Sequence, residues 1–177
     1  MQNLHIRQER SADRSPVLAL VERAFRNEAF SDQREHLLVE RLRDTAAFVP
    51  ELSLVAEKEE RIVGYILLTK IDIQGRDRNH PSLALAPVAV HPDFRGRGVG
   101  TALIREAHRR AYAIGFGSVV LLGHAAYYPR FGYRPAHHFG IELPFDVPAE
   151  NAMVVELRPG SLKGVSGRVR YAPAFTE

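Results

Sequence analysis

The chain has 177 residues, a formal net charge of +3, 45% hydrophobic and 25% charged residues, the balance of one globular domain with enough chain to bury a full core. It contains no cysteine, which excludes disulfides, thiolate metal sites and cysteine nucleophiles together. The small positive excess is not drawn out into a basic stripe with interleaved aromatics, so nucleic acid is not expected as a partner.

The opening stretch, MQNLHIRQERSADRSP, has no apolar core of signal-peptide length. The longest apolar run, LALAPVAV, is far too short to span a membrane. A cytoplasmic protein without a membrane partner is expected. No repeat, low-complexity tract or long linker interrupts the chain, so residues 1–177 are expected to form a single domain.

In chain order, LHIRQ reads as a short first strand. Ser15 followed by Pro16 predicts an N-cap and first helical residue, and Leu18, Val21 and Phe25 then recur at helical spacing. A second helix is expected to start near Asp32, where Asp32 and Glu35 have capping-box spacing, with Leu38 and Leu42 as its apolar stripe. LSLVAE and RIVGYILLTKIDI, separated by the polar KEE, predict an antiparallel hairpin. SLALAPVAV is the next strand, with a bulge or a break in pairing expected at Pro87. TALIREAHRRAYAIG predicts a helix with Leu103, Ala107 and Ala111 on one side and Gly115 ending it. SVVLLG is apolar at consecutive positions, as suits a strand buried on both faces. A short helix, AAYYPRF, and two strand-like pieces, HHFGIEL and AMVVELR, complete the reading. Strand, glycine turn, helix and strand make a βαβ unit inside a mixed α/β sheet.

The informative stretch is FRGRGVGTAL, residues 94–103, where glycines alternate with arginines just before a helix. Free amides at a helix start, with the positive end of its dipole, bind anions, and glycine lets a phosphate approach the backbone. An isolated glycine pair serves a plain turn equally well. Two other phosphate motifs fail. A dinucleotide fingerprint needs a glycine or alanine where Thr101 or Leu103 stands, and no acidic residue follows in SVVLLGHAAYY. No Gly-Lys-Ser/Thr tripeptide occurs for a triphosphate loop.

What fits is R-x-x-G-x-G, formed by Arg95, Gly98 and Gly100 directly after PVAVHPDF, and further on YYPRFGY at residues 127–133. With these two motifs in this order the chain resembles the GNAT superfamily of acyl-CoA-dependent N-acetyltransferases over residues 3–140. Its AMVVELRPG tail is similar to a branch of predicted acetyltransferases of unassigned substrate. The resemblance implies a mixed, largely antiparallel central sheet flanked by helices, with the βαβ unit binding acyl-CoA. It implies acetyl-CoA as co-substrate, no metal, an amine acceptor that is a small molecule or a peptide, and a homodimer as a common state. The pyrophosphate would rest on the amides of Arg95, Gly96, Arg97, Gly98, Val99, Gly100 and Thr101. The pantetheine arm would pair with the backbone of Val88, Ala89 and Val90 like an added strand. Successive side chains diverge in such a turn, so one of Arg95 and Arg97 is expected on the phosphates, not both.

The implied chemistry is direct attack by an amine on the thioester. An ammonium must lose a proton, an oxyanion needs donors near Val90, and the leaving thiolate needs a proton. The family pattern puts the general acid at Tyr128. By spacing alone, core packing with Tyr127, Phe131 and Tyr133 accounts for that tyrosine equally well. Glu28, Asp32 and Glu35 border the region where the family binds its acceptor, and Glu28 and Glu35 are candidate bases, against plain capping or solvation. His124, after the buried strand, is a candidate proton relay, against an ordinary hydrogen-bonded histidine. His137 and His138 on a strand would point to opposite faces, and no metal-ligand spacing occurs. Two further readings stay open: a non-catalytic acyl-CoA sensor of the same fold, and a module whose glycine loop holds another anion.

Overall fold

A computed structural model describes residues 3–177; the first two residues of the expected domain lie outside the described residues. Nine strands form one sheet: β1 (Leu4–Gln8), β2 (Phe48–Lys58), β3 (Arg61–Gln74), β4 (Asn79–Val90), β5 (Ser118–Leu122), β6 (Arg134–Pro135), β7 (Ile141–Glu142), β8 (Ala152–Glu156) and β9 (Gly167–Arg170). Three α-helices accompany them: α1 (Arg14–Phe25), α2 (Glu35–Arg43) and α3 (Val99–Ala113). The main path runs β1-β2-β3-β4-β5-β8-β6, with β9 joining β3 to β7. Pairings along that path are antiparallel except β4 with β5, which are connected through α3. The expected mixed, largely antiparallel sheet with a βαβ unit is therefore the observed fold.

Alternation along the strands sorts the core into two faces. Leu54 and Ala56 of β2 and Ile66 and Leu68 of β3 pack with Leu103, Ile104 and Ala107 of α3. Val55, Tyr65 and Leu67 face the other way, against Val17, Val21, Val39 and Leu42 of α1 and α2. A glycine permits the close seat of α3: a Cβ on Gly64 would lie 2.8 Å from both Leu103 Cδ1 and Val99 Cγ1. The C-terminal segment covers the rest of the second face, where Val165 and Val169 meet Ile71, Ile73 and Val120.

Several elements differ from their sequence expectation, each for a visible reason. The first helix begins at Arg14 with Asp13, not Ser15, at the N-cap position. Asp13 is fixed by Arg7 of β1 through bonds of 2.6 and 3.1 Å, a long-range partner that local spacing does not reveal. Pro16 then falls in the first turn, where its missing N–H has no helical acceptor to lose. The second helix starts at Glu35, not Asp32, and Glu35 bonds Ser31 while Asp32 accepts from Arg34 N–H at 3.0 Å. The hairpin turn is the two residues Glu59 and Glu60, both at positive φ, with Lys58 paired to Arg61. HHFGIEL is not a strand. Residues Ala136–Phe139 form a 3-10 turn closed by left-handed Gly140, leaving only Ile141 and Glu142 extended. His137 and His138 therefore do not alternate across a sheet; their rings meet edge-on with centroids 4.5 Å apart. AAYYPRF likewise shortens to a 3-10 turn over Tyr128–Phe131.

Candidate active site

The βαβ unit contains a fork. β4 and β5 pair only at Leu83 with Val119 and Ala84 with Val120. Just below, the buried hydroxyls of Ser82 and Ser118 hydrogen-bond at 2.7 Å and pin the base. Beyond it the strands part. Ala86 and Pro87 stand opposite the single residue Leu67, the irregularity expected at Pro87. Past this bulge Val88, Ala89 and Val90 pair with Ile66, Tyr65 and Gly64 of β3, while their β5-side edge has no strand partner among the described residues. An unpaired edge at the mouth of a fork accepts an extended ligand by strand addition.

Val90 leads into the glycine loop. His91 accepts the Asp93 amide at 3.2 Å and starts a short turn, Pro92–Phe94. Gly96 and Gly98 follow at φ 71° and 79°, left-handed values that glycine adopts without strain. Gly98 caps α3. The Arg95 amide reaches Pro92 O at 3.3 Å and the Ala102 amide reaches Gly98 O at 3.0 Å; between them no loop amide meets a backbone acceptor among the described residues. These free donors sit at the positive end of a 15-residue helix. The residues present fit a phosphate group, by amides rather than by a cage of side chains.

The two arginine side chains diverge. Arg95 turns to the end of α1, donating to Ala24 O and lying 3.3 Å from Glu28 Oε1. Arg97 lies over Phe94, its Cζ 5.5 Å from the ring centroid. Arg97 is the arginine left beside the loop.

Across the fork, β5 ends at Leu122, Gly123 follows, and the chain folds back through Tyr127 and Tyr128. The Tyr128 ring lies directly on Gly123, where a Cβ would come within 2.2 Å of Tyr128 Cε2. Tyr127 and Tyr133 meet it edge-on, with centroids 5.1 and 5.7 Å away. Tyr128 is only 8% exposed, and its hydroxyl has no hydrogen-bond partner in the protein among the described residues. Burial holds the phenol well above the ordinary tyrosine range, with Tyr127 adding to the effect. Tyr128 is thus a protonated donor with a free hydroxyl.

The remaining candidates are placed as follows. The Glu28 carboxylate is paired with Arg95. Glu35 uses Oε1 for Ser31, while its buried Oε2 has no partner among the described residues. It lines a shallow pocket with Asp32, Arg34, Arg41, Phe175 and Glu177, at the side of α2. His124 is exposed; its carbonyl accepts the Tyr127 and Tyr128 amides at 3.0 and 3.3 Å, while its imidazole has no polar partner among the described residues.

Two residues, Gly123 and His108, escaped sequence reasoning, and so did one contact of Tyr127. A Cβ on Gly100 would lie 3.3 Å from Tyr127 Oη, so Tyr127 comes within reach of the start of α3. Gly123 makes room for Tyr128. His108, on α3, bonds Tyr133 Oη at 2.8 Å. Neither Gly123 nor His108 carries a spacing signal, and Tyr127, though it lies in the YYPRFGY motif, reaches the start of α3 only through a contact made by folding. Among the described residues no group of three or more potential metal ligands forms, and no helix is long and apolar enough to cross a membrane.

Comparisons with known proteins agree with this geometry. The family model described as an acetyltransferase (GNAT) domain matches residues 50–135. The uncharacterized N-acetyltransferase YjhQ of Escherichia coli is 38% identical over 130 residues, 73% of this chain and 72% of the relative. The solved structure of the GNAT family N-acetyltransferase YhbS from Escherichia coli in complex with CoA is similar with a TM-score of 0.89 and 30% identity, covering 99% of this chain and 93% of that one. A GNAT family acetyltransferase from Brucella melitensis in complex with acetyl-CoA matches with a TM-score of 0.81 and 31% identity over 99% of both chains.

Proposed function

This chain belongs to the GNAT acetyltransferase family, and from that premise we propose that it transfers an acetyl group from acetyl-CoA to a primary amine by direct attack on the thioester. The observation that carries the proposal is the fork between β4 and β5, with free amides at one wall and the protonated Tyr128 hydroxyl at the other. Two similar structures were solved with CoA and with acetyl-CoA, which supports acetyl-CoA as the donor here. The loop amides of residues 96–101 would hold the pyrophosphate, and the free edge of Val88–Val90 would pair with the pantetheine amides.

The steps balance as one acyl transfer. The amine nitrogen bonds to the thioester carbonyl carbon after losing a proton to a base or to water. Charge developing on the carbonyl oxygen meets backbone amides near Val90. The carbon–sulfur bond then breaks, the electron pair leaves with sulfur, and Tyr128 supplies the proton. An ordinary thiol has a pKa of ~8.5, below that of a buried phenol. A thiolate pressed against the same apolar ring cluster is desolvated too, and this raises its own affinity for the proton.

Of the two candidate bases, Glu28 is held by Arg95 beside the loop, and Glu35 bonds Ser31 at the side of α2. The acceptor is sought with a panel of small amines and amino-terminal peptides, following thiol release from acetyl-CoA. The cysteine-free chain adds no thiol background. Acetylated product from at least one amine is expected. Tight acetyl-CoA binding with no product from any amine would favour the sensor reading instead.

A further inference from the structure

Behind Tyr128 lies a contact that the proposed reaction does not use directly. Tyr133 follows Gly132, whose φ of 92° turns the chain back under the tyrosine cluster. The Tyr133 ring is 2% exposed and stands edge-on to Tyr128, centroids 5.7 Å apart at 75°. Its hydroxyl lies 2.8 Å from His108 Nε2 on α3. An apolar position would have accepted phenylalanine; a buried phenol there needs a partner, and α3 supplies one. The same helix begins at the free amides of the glycine loop. His108 therefore ties the body of the donor-binding helix to the ring that backs Tyr128.

We infer that His108 and Tyr133 are positioning residues for Tyr128: the bond from Tyr133 Oη to His108 Nε2 locks one wall of the cage that aims the Tyr128 hydroxyl at the sulfur of coenzyme A. The inference rests on the reading of Tyr128 as the proton donor to that sulfur.

Burial keeps His108 neutral, with a pKa lowered to about 4, and keeps the Tyr133 phenol protonated. With the proton on Nδ1, Tyr133 donates to Nε2; with it on Nε2, Tyr133 Oη accepts; either tautomer makes the bond. The Tyr133 ring then cannot slide along its own axis without breaking a bond in a desolvated place. Tyr128 is fixed on its other sides by Tyr127, Phe131 and the bare backbone of Gly123. Only the Tyr133 wall depends on a single polar contact.

The test needs no acceptor. It measures the pKa of the thiol of bound coenzyme A from the ultraviolet absorbance of the thiolate, with desulfo-coenzyme A as the blank that cancels tyrosine and adenine signals. A donor aimed at sulfur stabilises the thiolate, so losing it raises the bound thiol pKa. Four variants are compared with wild type: Tyr128→Phe, Tyr133→Phe, His108→Leu and His108→Gln. Coenzyme A affinity should stay within about threefold in all four, since none touches the loop amides. Tyr128→Phe should reduce the thiol ionisation constant about tenfold. Tyr133→Phe and His108→Leu should each reproduce most of that loss, and His108→Gln, whose amide oxygen can still accept from Tyr133, should restore it.

In the Tyr128→Phe background, adding His108→Leu should change nothing further. A raised thiol pKa in Tyr128→Phe alone, with Tyr133→Phe and His108→Leu like wild type, overturns the positioning role and leaves Tyr128 standing. An unchanged thiol pKa in Tyr128→Phe removes Tyr128 from the sulfur, and the positioning role with it. Loss of coenzyme A affinity in Tyr133→Phe and His108→Leu together would show a purely structural pair and also overturn the inference.

Discussion

Replacing Gly98 with valine tests the loop through two separable effects. Gly98 sits at φ 79° as the cap of α3, where an L residue is strained by about 1–2 kcal/mol and a β-branched one by more. For a chain of this length such a loss lowers the melting temperature by roughly 2–8 °C, so the variant still folds. Relieving the strain means rotating the peptide units on either side, which turns the amides of residues 98 and 99 away from the site. A hydrogen bond to a charged group contributes about 1.5–3 kcal/mol. Losing one or two such bonds weakens coenzyme A binding by about 10- to 10⁴-fold. Calorimetric titration of coenzyme A reads the affinity, and a melt without ligand reads the strain. Gly96→Asn is the control: Gly96 has φ 71° with nothing within 4 Å of a Cβ, and asparagine tolerates that conformation. Its affinity should stay near wild type. A folded Gly98→Val variant that binds coenzyme A as wild type does would refute the amide cradle.

Further predictions concern the second wall and its surroundings. Gly123→Ala drives a methyl into the Tyr128 ring, with 2.2 Å between Cβ and Cε2; kcat should fall at least tenfold while coenzyme A affinity holds, and unchanged turnover would show that Tyr128 tolerates displacement. Arg95→Ala cuts the link from the loop to Ala24 O and Glu28; it should raise KM for the amine more than for acetyl-CoA, as steady-state kinetics with both substrates varied would show. His108 has its folded pKa lowered from 6.5 to about 4 by burial. The unfolded chain therefore takes up this proton first, and the stabilisation is whole above pH 6.5 and lost as pH falls towards 4. That loss is of order 3 kcal/mol, so urea midpoints measured between pH 7 and 4.5 should fall less steeply in His108→Gln than in wild type. Equal slopes would exclude a neutral buried imidazole.

The βαβ unit was legible because three signals coincide there: an apolar strand, glycines at a helix start, and a strand apolar at consecutive positions. The fork was not, since parting strands depend on pairing register, and SLALAPVAV and SVVLLG look alike whether they pair over two residues or six. Pro87 did announce the irregularity. Helix starts were misplaced where a distant partner claimed the capping group, as Arg7 does with Asp13. Alternation misled at HHFGIEL, where left-handed Gly140 closes a turn that local hydrophobicity does not show. The short β9, GRVR, is too polar to announce itself and exists because β3 and β7 flank it. Among site residues, Tyr128 and the loop glycines lie in motifs. Tyr127 lies in one too, but Gly123 and His108 matter only through what folding brings beside them.

Single-turnover acetyl transfer, measured for wild type and Tyr128→Phe at saturating acetyl-CoA with an amine found in the panel, tests the proposed mechanism most directly. Single turnover keeps slow product release from hiding the chemical step. General acid catalysis contributes ~10²- to 10⁴-fold, and the Tyr128→Phe rate should fall by an amount in that range while acetyl-CoA affinity is retained. Tyr127→Phe, measured beside it, should change the rate far less. Equal transfer rates for wild type and Tyr128→Phe would contradict the account: the thiolate would then leave without help from Tyr128.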